Sequence, residues 1–293
     1  MGAVDLTPSQ IAFGTAETLF LIFGAYLLAR TFGPREKRTA FLAAGGLPRW
    51  ALTGTEVALL VLLIFLCGVA GQSAVARLFA TRIHASPDRE GLEIAVFGAG
   101  FHCVALLGWP VFHLLRRHLL AASDLEPEVV AASAPVVRLT WPQVLKAAAV
   151  TLAMVLPVIV AASFLWNNLL QVLGLPSEPQ DLIAIFGGKH SRLVFVGMLT
   201  VACAIAPLNE ELLFRGAIFR SLRQRFGRTA ALAASGLFFG VVHGNWAGAL
   251  PIALLGVALA MAYERTGDIR VPIVTHGLFN LNTIVIVLSG LPQ

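Results

Sequence analysis

Asn209-Glu210-Glu211-Leu212-Leu213-Phe214-Arg215-Gly216 closes an apolar run that begins near Leu193. Two adjacent carboxylates and a guanidinium therefore sit deep in a hydrophobic helix, where each charge costs about 2.5–3.5 kcal/mol to insert. Such a cost is tolerated where the charges are needed. Glu211 and Arg215 are four apart with the acid first, the better orientation for a helical ion pair. Glu210 lies about 100° further round the helix and cannot share the same arginine equally. The spacing predicts that Glu211 and Arg215 neutralise each other and leave Glu210 to act as a base. The alternative is a structural ion pair at a helix end.

The rest of the chain gives this stretch its setting. Of 293 residues, 57% are hydrophobic and 13% charged, with a mean hydropathy of +0.81. Soluble domains carry about 25% charged residues. Several apolar runs reach the roughly 20 residues needed to cross a bilayer. The composition predicts an all-α, polytopic helical membrane protein. The net charge of +5 is then a matter of topology, and no nucleic-acid partner is expected. Cys67, Cys103 and Cys203 fall inside apolar runs and read as packed free thiols. Met1 to Gln10 has no lysine or arginine, so insertion is expected to begin with the first span.

Eight spans are predicted: about 11–30, 53–75, 94–115, 144–165, 193–226, 229–243, 247–263 and 272–288. Pro207 predicts a kink in the fifth, and Gly227 a break after it. The segment 123–142 reads as a loop with an interfacial piece, and 175–190 as a loop. Fifteen of the twenty lysines and arginines outside the motif fall with the loops after spans 1, 3, 5 and 7. By the positive-inside rule those loops are cytoplasmic and both termini extracytoplasmic. Trp50, Trp141, Trp166 and Trp246 suit an interfacial belt. No internal repeat is visible, which argues against an inverted-repeat transporter. The chain divides into an N-terminal part, 1–142, and a C-terminal part, 143–293.

Three polar features interrupt the last four spans: Glu210, Glu211 and Arg215; His243, reached through Phe239-Gly240-Val241-Val242; and His276 with Asn280. Counting from a turn at Gly227 at 1.5 Å per residue puts Glu210 and His243 both about 25 Å away, at one level. His276 enters from the same side, and Asn280 one turn on faces the same way. Glu210, His243, His276 and Asn280 can therefore share one cavity open to the cytoplasm. A glutamate and a histidine can deprotonate water, while a second histidine and an amide can donate to an oxyanion. Equally, Glu210, His243 and His276 could hold zinc with an open position for water. Both arrangements stay open, although no His-Glu-x-x-His helix is present.

Glu-Glu-x-x-x-Arg, Phe-x-x-x-His and His-x-x-x-Asn, in this order, resemble the three motifs of the CPBP intramembrane proteases. That family includes the type II CAAX prenyl endopeptidases and the bacteriocin-processing or self-immunity Abi proteins. The resemblance covers about 193–288. It implies an intramembrane endopeptidase, glutamate- or metal-dependent, in which Glu210 and His243 activate water. His276 and Asn280 would stabilise the oxyanion or complete the polar site, with Glu211 and Arg215 in support. The implied partner is a membrane-associated or prenylated CAAX-type protein or peptide. A non-catalytic immunity or binding protein using the same cavity is the alternative.

Other polar residues read as structural. Glu17 sits near the outer surface, Glu56 at the cytoplasmic interface, and His102 and His113 read as packing and interface residues. Cys203 lies two turns before Glu210 on the same face but has no setting that would activate a thiolate. Arg220, Arg223, Arg225 and Arg228 mark the cytoplasmic boundary, where they could attract anionic lipid or an acidic substrate tail.

Overall fold

The computed structural model describes residues 6–43, 47, 52–121, 138–177 and 185–290. Helices account for every regular element among them. The first part of the chain forms α1 (Pro8–Phe32), the short α2 (Arg35–Ala43), α3 (Gly54–His84), α4 (Arg89–Ala121) and α5 (Trp141–Val172). Next comes one long helical rod: α6 (Arg192–Thr200), a π segment π1 (Val201–Ile205), α7 (Ala206–Glu211), a second π segment π2 (Leu212–Phe219) and α8 (Arg220–Val242). α9 (Trp246–Thr266) and α10 (Arg270–Ser289) complete the bundle.

Seven stretches among the described residues are long and apolar enough to cross a membrane. The protein is an integral, multi-pass membrane protein. The fifth stretch, Arg192–Val242, has 51 residues, about 75 Å of helix against a hydrocarbon core of about 30 Å. It folds back at Gly227, whose φ of 77° and ψ of 178° no helix accommodates and few side chains allow. This stretch therefore supplies two limbs, which is how eight predicted spans become seven helices.

Helix ends extend past the predicted spans because capping, rather than hydropathy, sets them. Thr53 and Glu56 form a reciprocal capping box that starts α3, and Ser191 caps α6. The basic stretch after span 1, read as loop, contains α2. The predicted interfacial piece at 123–142 falls mostly, and Trp50 entirely, outside the described residues. Large apolar side chains such as Leu19, Phe65, Phe164 and Leu193 are exposed on the bundle surface, as a lipid-facing exterior requires.

Ion pairs sort the two ends of the bundle. At one end Arg116 Nε donates to Glu56 at 2.6 Å, and buried Glu264 receives Arg223 at 2.7 Å and Arg228 at 2.5 Å. Since Arg223 and Arg228 flank Gly227, their shared carboxylate ties both limbs to α9. Arg270 there bonds Asp268 and the Leu139 carbonyl, both at 2.6 Å, and lies 4.9 Å from the Trp141 ring. At the other end Trp166 Nε1 donates to the Trp246 carbonyl at 2.7 Å and Gln10 Nε2 to the Gly290 carbonyl at 3.1 Å. The arginines after spans 3, 5 and 7 thus gather at one end.

Also at the second end, His190 Nδ1 donates to Asp88 at 2.8 Å and Nε2 to the Ile185 carbonyl at 2.6 Å. Both partners only accept, so the ring is an imidazolium. Burial opposes that charge, but the Ile185 carbonyl and the Asp88 carboxylate outweigh it and hold the His190 pKa above its ordinary value. For Asp88, burial is likewise outweighed, here by His190 and the Ser191 amide, and its pKa is lowered. The clasp's contribution is full below about pH 6.5, the unfolded histidine value, and disappears as pH rises through the raised folded value. It also fades on acidification through the lowered pKa of Asp88. Thermal unfolding of the detergent-solubilised protein from pH 5 to 9 is expected to show this alkaline loss, and His190→Gln to remove it.

Candidate active site

Pro207 shapes the helix that carries the acidic pair. Having no N–H, it leaves the carbonyls of Ala202 and Cys203, its i−5 and i−4 partners, without their helical donor. Just there the helix widens into π1. Asn280 Nδ2 donates to the Ala202 carbonyl at 2.7 Å. Three residues earlier on α10, Gly277 lies so close that a Cβ would come 2.3 Å from the Cys203 oxygen. α10 therefore docks backbone-to-backbone on the opened turn. This contact fixes where His276 falls.

His276 lands on the acidic pair. Its Nδ1 donates to Glu211 Oε1 at 2.9 Å, and the same oxygen receives Arg215 Nη1 at 2.7 Å. Arg215 Nη2 donates to the Gly256 carbonyl of α9 at 2.9 Å. Glu211 and Arg215 are both wholly buried. The predicted ion pair is present, with His276 as an added partner. Phe239 anchors the group: its ring lies 4.3 Å from the Arg215 guanidinium and meets His243 and His276 edge-on, at centroid distances of 4.9 and 5.6 Å. The first residue of Phe-x-x-x-His is thus the hub between the arginine and two histidines.

Glu210 differs from its neighbour. Its side chain is 23% exposed, where that of Glu211 is wholly buried; its Oε2 atom, like Glu211 Oε2, is buried and takes no hydrogen bond from the protein. That oxygen is 3.9 Å from His276 Nε2, a gap a bridging water could fill. His243 Nδ1 donates to the Phe239 carbonyl at 2.6 Å, so in the neutral ring Nε2 carries the lone pair.

Asn280 stands one turn from His276, and its amide is used on the π1 carbonyl. Cys203 packs with Phe186, Val194, Met198 and Ile284, because π1 interrupts the regular α-helical face relation between it and Glu210. His102, read from sequence as a packing residue, meets Asn209, whose Nδ2 donates to His102 Nδ1 at 3.2 Å. A histidine inside a span was the only signal available for it.

As a metal centre the residues do not fit. Among the described residues no three His, Cys, Asp or Glu side chains stand close enough to hold an ion, and Glu210, His243 and His276 form no such group.

Residues 192–282 match the family model for type II CAAX prenyl endopeptidases, Rce1-like. Over this stretch, about a third of the chain, the protein is similar to the Rce1-like family. The matched stretch contains all three motifs and the whole α6–α10 arrangement except the end of α10. An uncharacterized 24.3 kDa protein of Escherichia coli is 33% identical over 111 residues, 36% of this chain and 50% of that protein. A putative membrane peptidase, YdiL, of Bacillus subtilis (strain 168) is 33% identical over 92 residues, 31% of this chain and 37% of that protein. The chain thus spans half or less of the length of these curated relatives. No solved structure matches it.

Within the buried cluster of Glu211, Arg215 and His276, removing Arg215 would strand the Glu211 charge. Arg215→Met is expected to destabilise the fold by about 3–5 kcal/mol, the range for breaking one side of a buried pair. Thermal or denaturant unfolding in detergent measures this, and Arg215→Lys should recover only part of it because one ammonium cannot reach Glu211 and Gly256 as a fork.

Proposed function

We propose that this protein is an intramembrane endopeptidase that cleaves a membrane-associated or prenylated, CAAX-type protein or peptide from the cytoplasmic side. The observation that carries the reading is the Glu210 carboxylate, 23% exposed and 3.9 Å from His276 Nε2. Its neighbour Glu211 is committed to Arg215 and His276. One acid is structural and the other is available.

A water between Glu210 and the histidines gives its proton to Glu210 as its oxygen bonds the scissile carbonyl carbon. His276, oriented through Nδ1 by Glu211, directs Nε2 at the developing oxyanion. His243, oriented through Nδ1, directs its Nε2 lone pair to the same water. The carbon–nitrogen bond then breaks, and the proton on Glu210 passes to the leaving amine. Asn280 contributes by holding α10 on π1 so that His276 stays in register. The clustering of arginines at the end nearer the hairpin turn, with the positive-inside rule, supports an active site open to the cytoplasm and termini on the opposite side.

Purified protein in nanodiscs with a quenched farnesylated CAAX peptide tests this directly. Glu210→Ala and His243→Ala are each expected to lower kcat by about 10²–10⁴-fold with unfolding temperatures unchanged. Cleavage is expected to persist after chelator treatment. Full activity in Glu210→Ala would remove the mechanism, and unaltered membrane phenotypes in both variants would favour the non-catalytic binding role.

A further inference from the structure

The matched family core begins at residue 192, yet a side chain from the first half of the chain reaches the acidic pair. Leu92, Ile94 and Ala95 of α4 pack on the cluster around Val194 and Met198 of α6. His102 is seven residues beyond Ala95, two turns on along the same face of α4. There it accepts the Asn209 amide at 3.2 Å. It is also near enough to Glu210 and His276 to interact electrostatically with both.

Asn209 is only 2% exposed, and its Oδ1, like Glu210 Oε2, is a buried acceptor with no protein partner. Its amide nitrogen is therefore the polar group that ties this turn to α4. Without His102, a buried Asn209 would have neither end bonded, and such a side chain moves to find a partner. Because Asn209 and Glu210 are consecutive, that movement would displace the carboxylate at the centre of the site. The bond also settles the ring: Nδ1 accepts, so in neutral His102 the proton is on Nε2.

We propose that His102 is a positioning residue of the site, acting through Asn209 to hold Glu210 in place, so that α4 completes an active site the C-terminal helices do not build alone. This deepens the peptidase reading and rests on it only for the kinetic consequence. The position needs an acceptor at the δ atom. Asparagine supplies one there, since its Oδ1 sits at the same remove from the backbone as Nδ1, whereas leucine fills the space without accepting.

Two measurements on the full-length protein in nanodiscs test it. In the first, dicyclohexylcarbodiimide labels buried carboxyls, and mass spectrometry reads the rate at Glu210 against Glu17 of α1. His102→Leu is expected to change the Glu210 rate at least threefold with Glu17 unaffected, and His102→Asn to return it to the wild-type value. In the second, with the farnesylated CAAX peptide, His102→Leu is expected to lower kcat about tenfold, leave KM within twofold and be rescued by His102→Asn. An unchanged Glu210 labelling rate in His102→Leu, or asparagine behaving as leucine does, overturns the proposal. A wild-type protein that does not cleave the peptide but shows the labelling pattern would instead count against the peptidase reading and leave the positioning role standing.

Discussion

One buried carboxylate oxygen, Glu211 Oε1, holds the C-terminal helices of this molecule together. It accepts from Arg215 on its own helix and from His276 on α10, while the arginine's other arm reaches the α9 backbone. Three helices are joined through a group from which both water and lipid are excluded. At that depth a charge without its partner is worth several kcal/mol against the fold. The geometry of the pair is therefore strict, and the histidine it holds is fixed in position and ring orientation.

The division of labour between the two acids follows from it. Glu211 is enclosed and bonded through Oε1, and Glu210, one residue earlier, keeps a partly exposed side chain beside the immobilised histidine. Phe239 allows this crowding because an aromatic face accepts the guanidinium on one side while its edges meet two imidazoles. A polar residue in its place would compete for the same hydrogen bonds.

π1 is where irregular backbone serves the site. Pro207 removes a donor, the turn opens, and the released carbonyls become docking points for Asn280 and for the bare backbone at Gly277. A π turn fits more residues into each turn than an α-helix and so advances less per residue. π2, between Glu210 and the turn at Gly227, shortens that limb relative to a count at 1.5 Å per residue, which brings Glu210 nearer the level of His276 in the first half of α10.

From the order of residues alone came the membrane setting, the all-helical fold, the fold-back at Gly227 and the Glu211–Arg215 pair. Each depends on hydropathy, on periodicity or on a fixed i, i+4 spacing, which are properties of neighbouring residues. Tertiary structure decided the rest. His276 bonds Glu211 as well as approaching Glu210, Asn280 holds backbone, Cys203 packs away from the site, and His102 joins Asn209. All four depend on how helices are rotated about their axes against one another, and the added residues of π1 and π2 reset that rotation midway along the rod. An ideal helical count carries no trace of such a reset, so faces on either side of it cannot be aligned until the helices are packed.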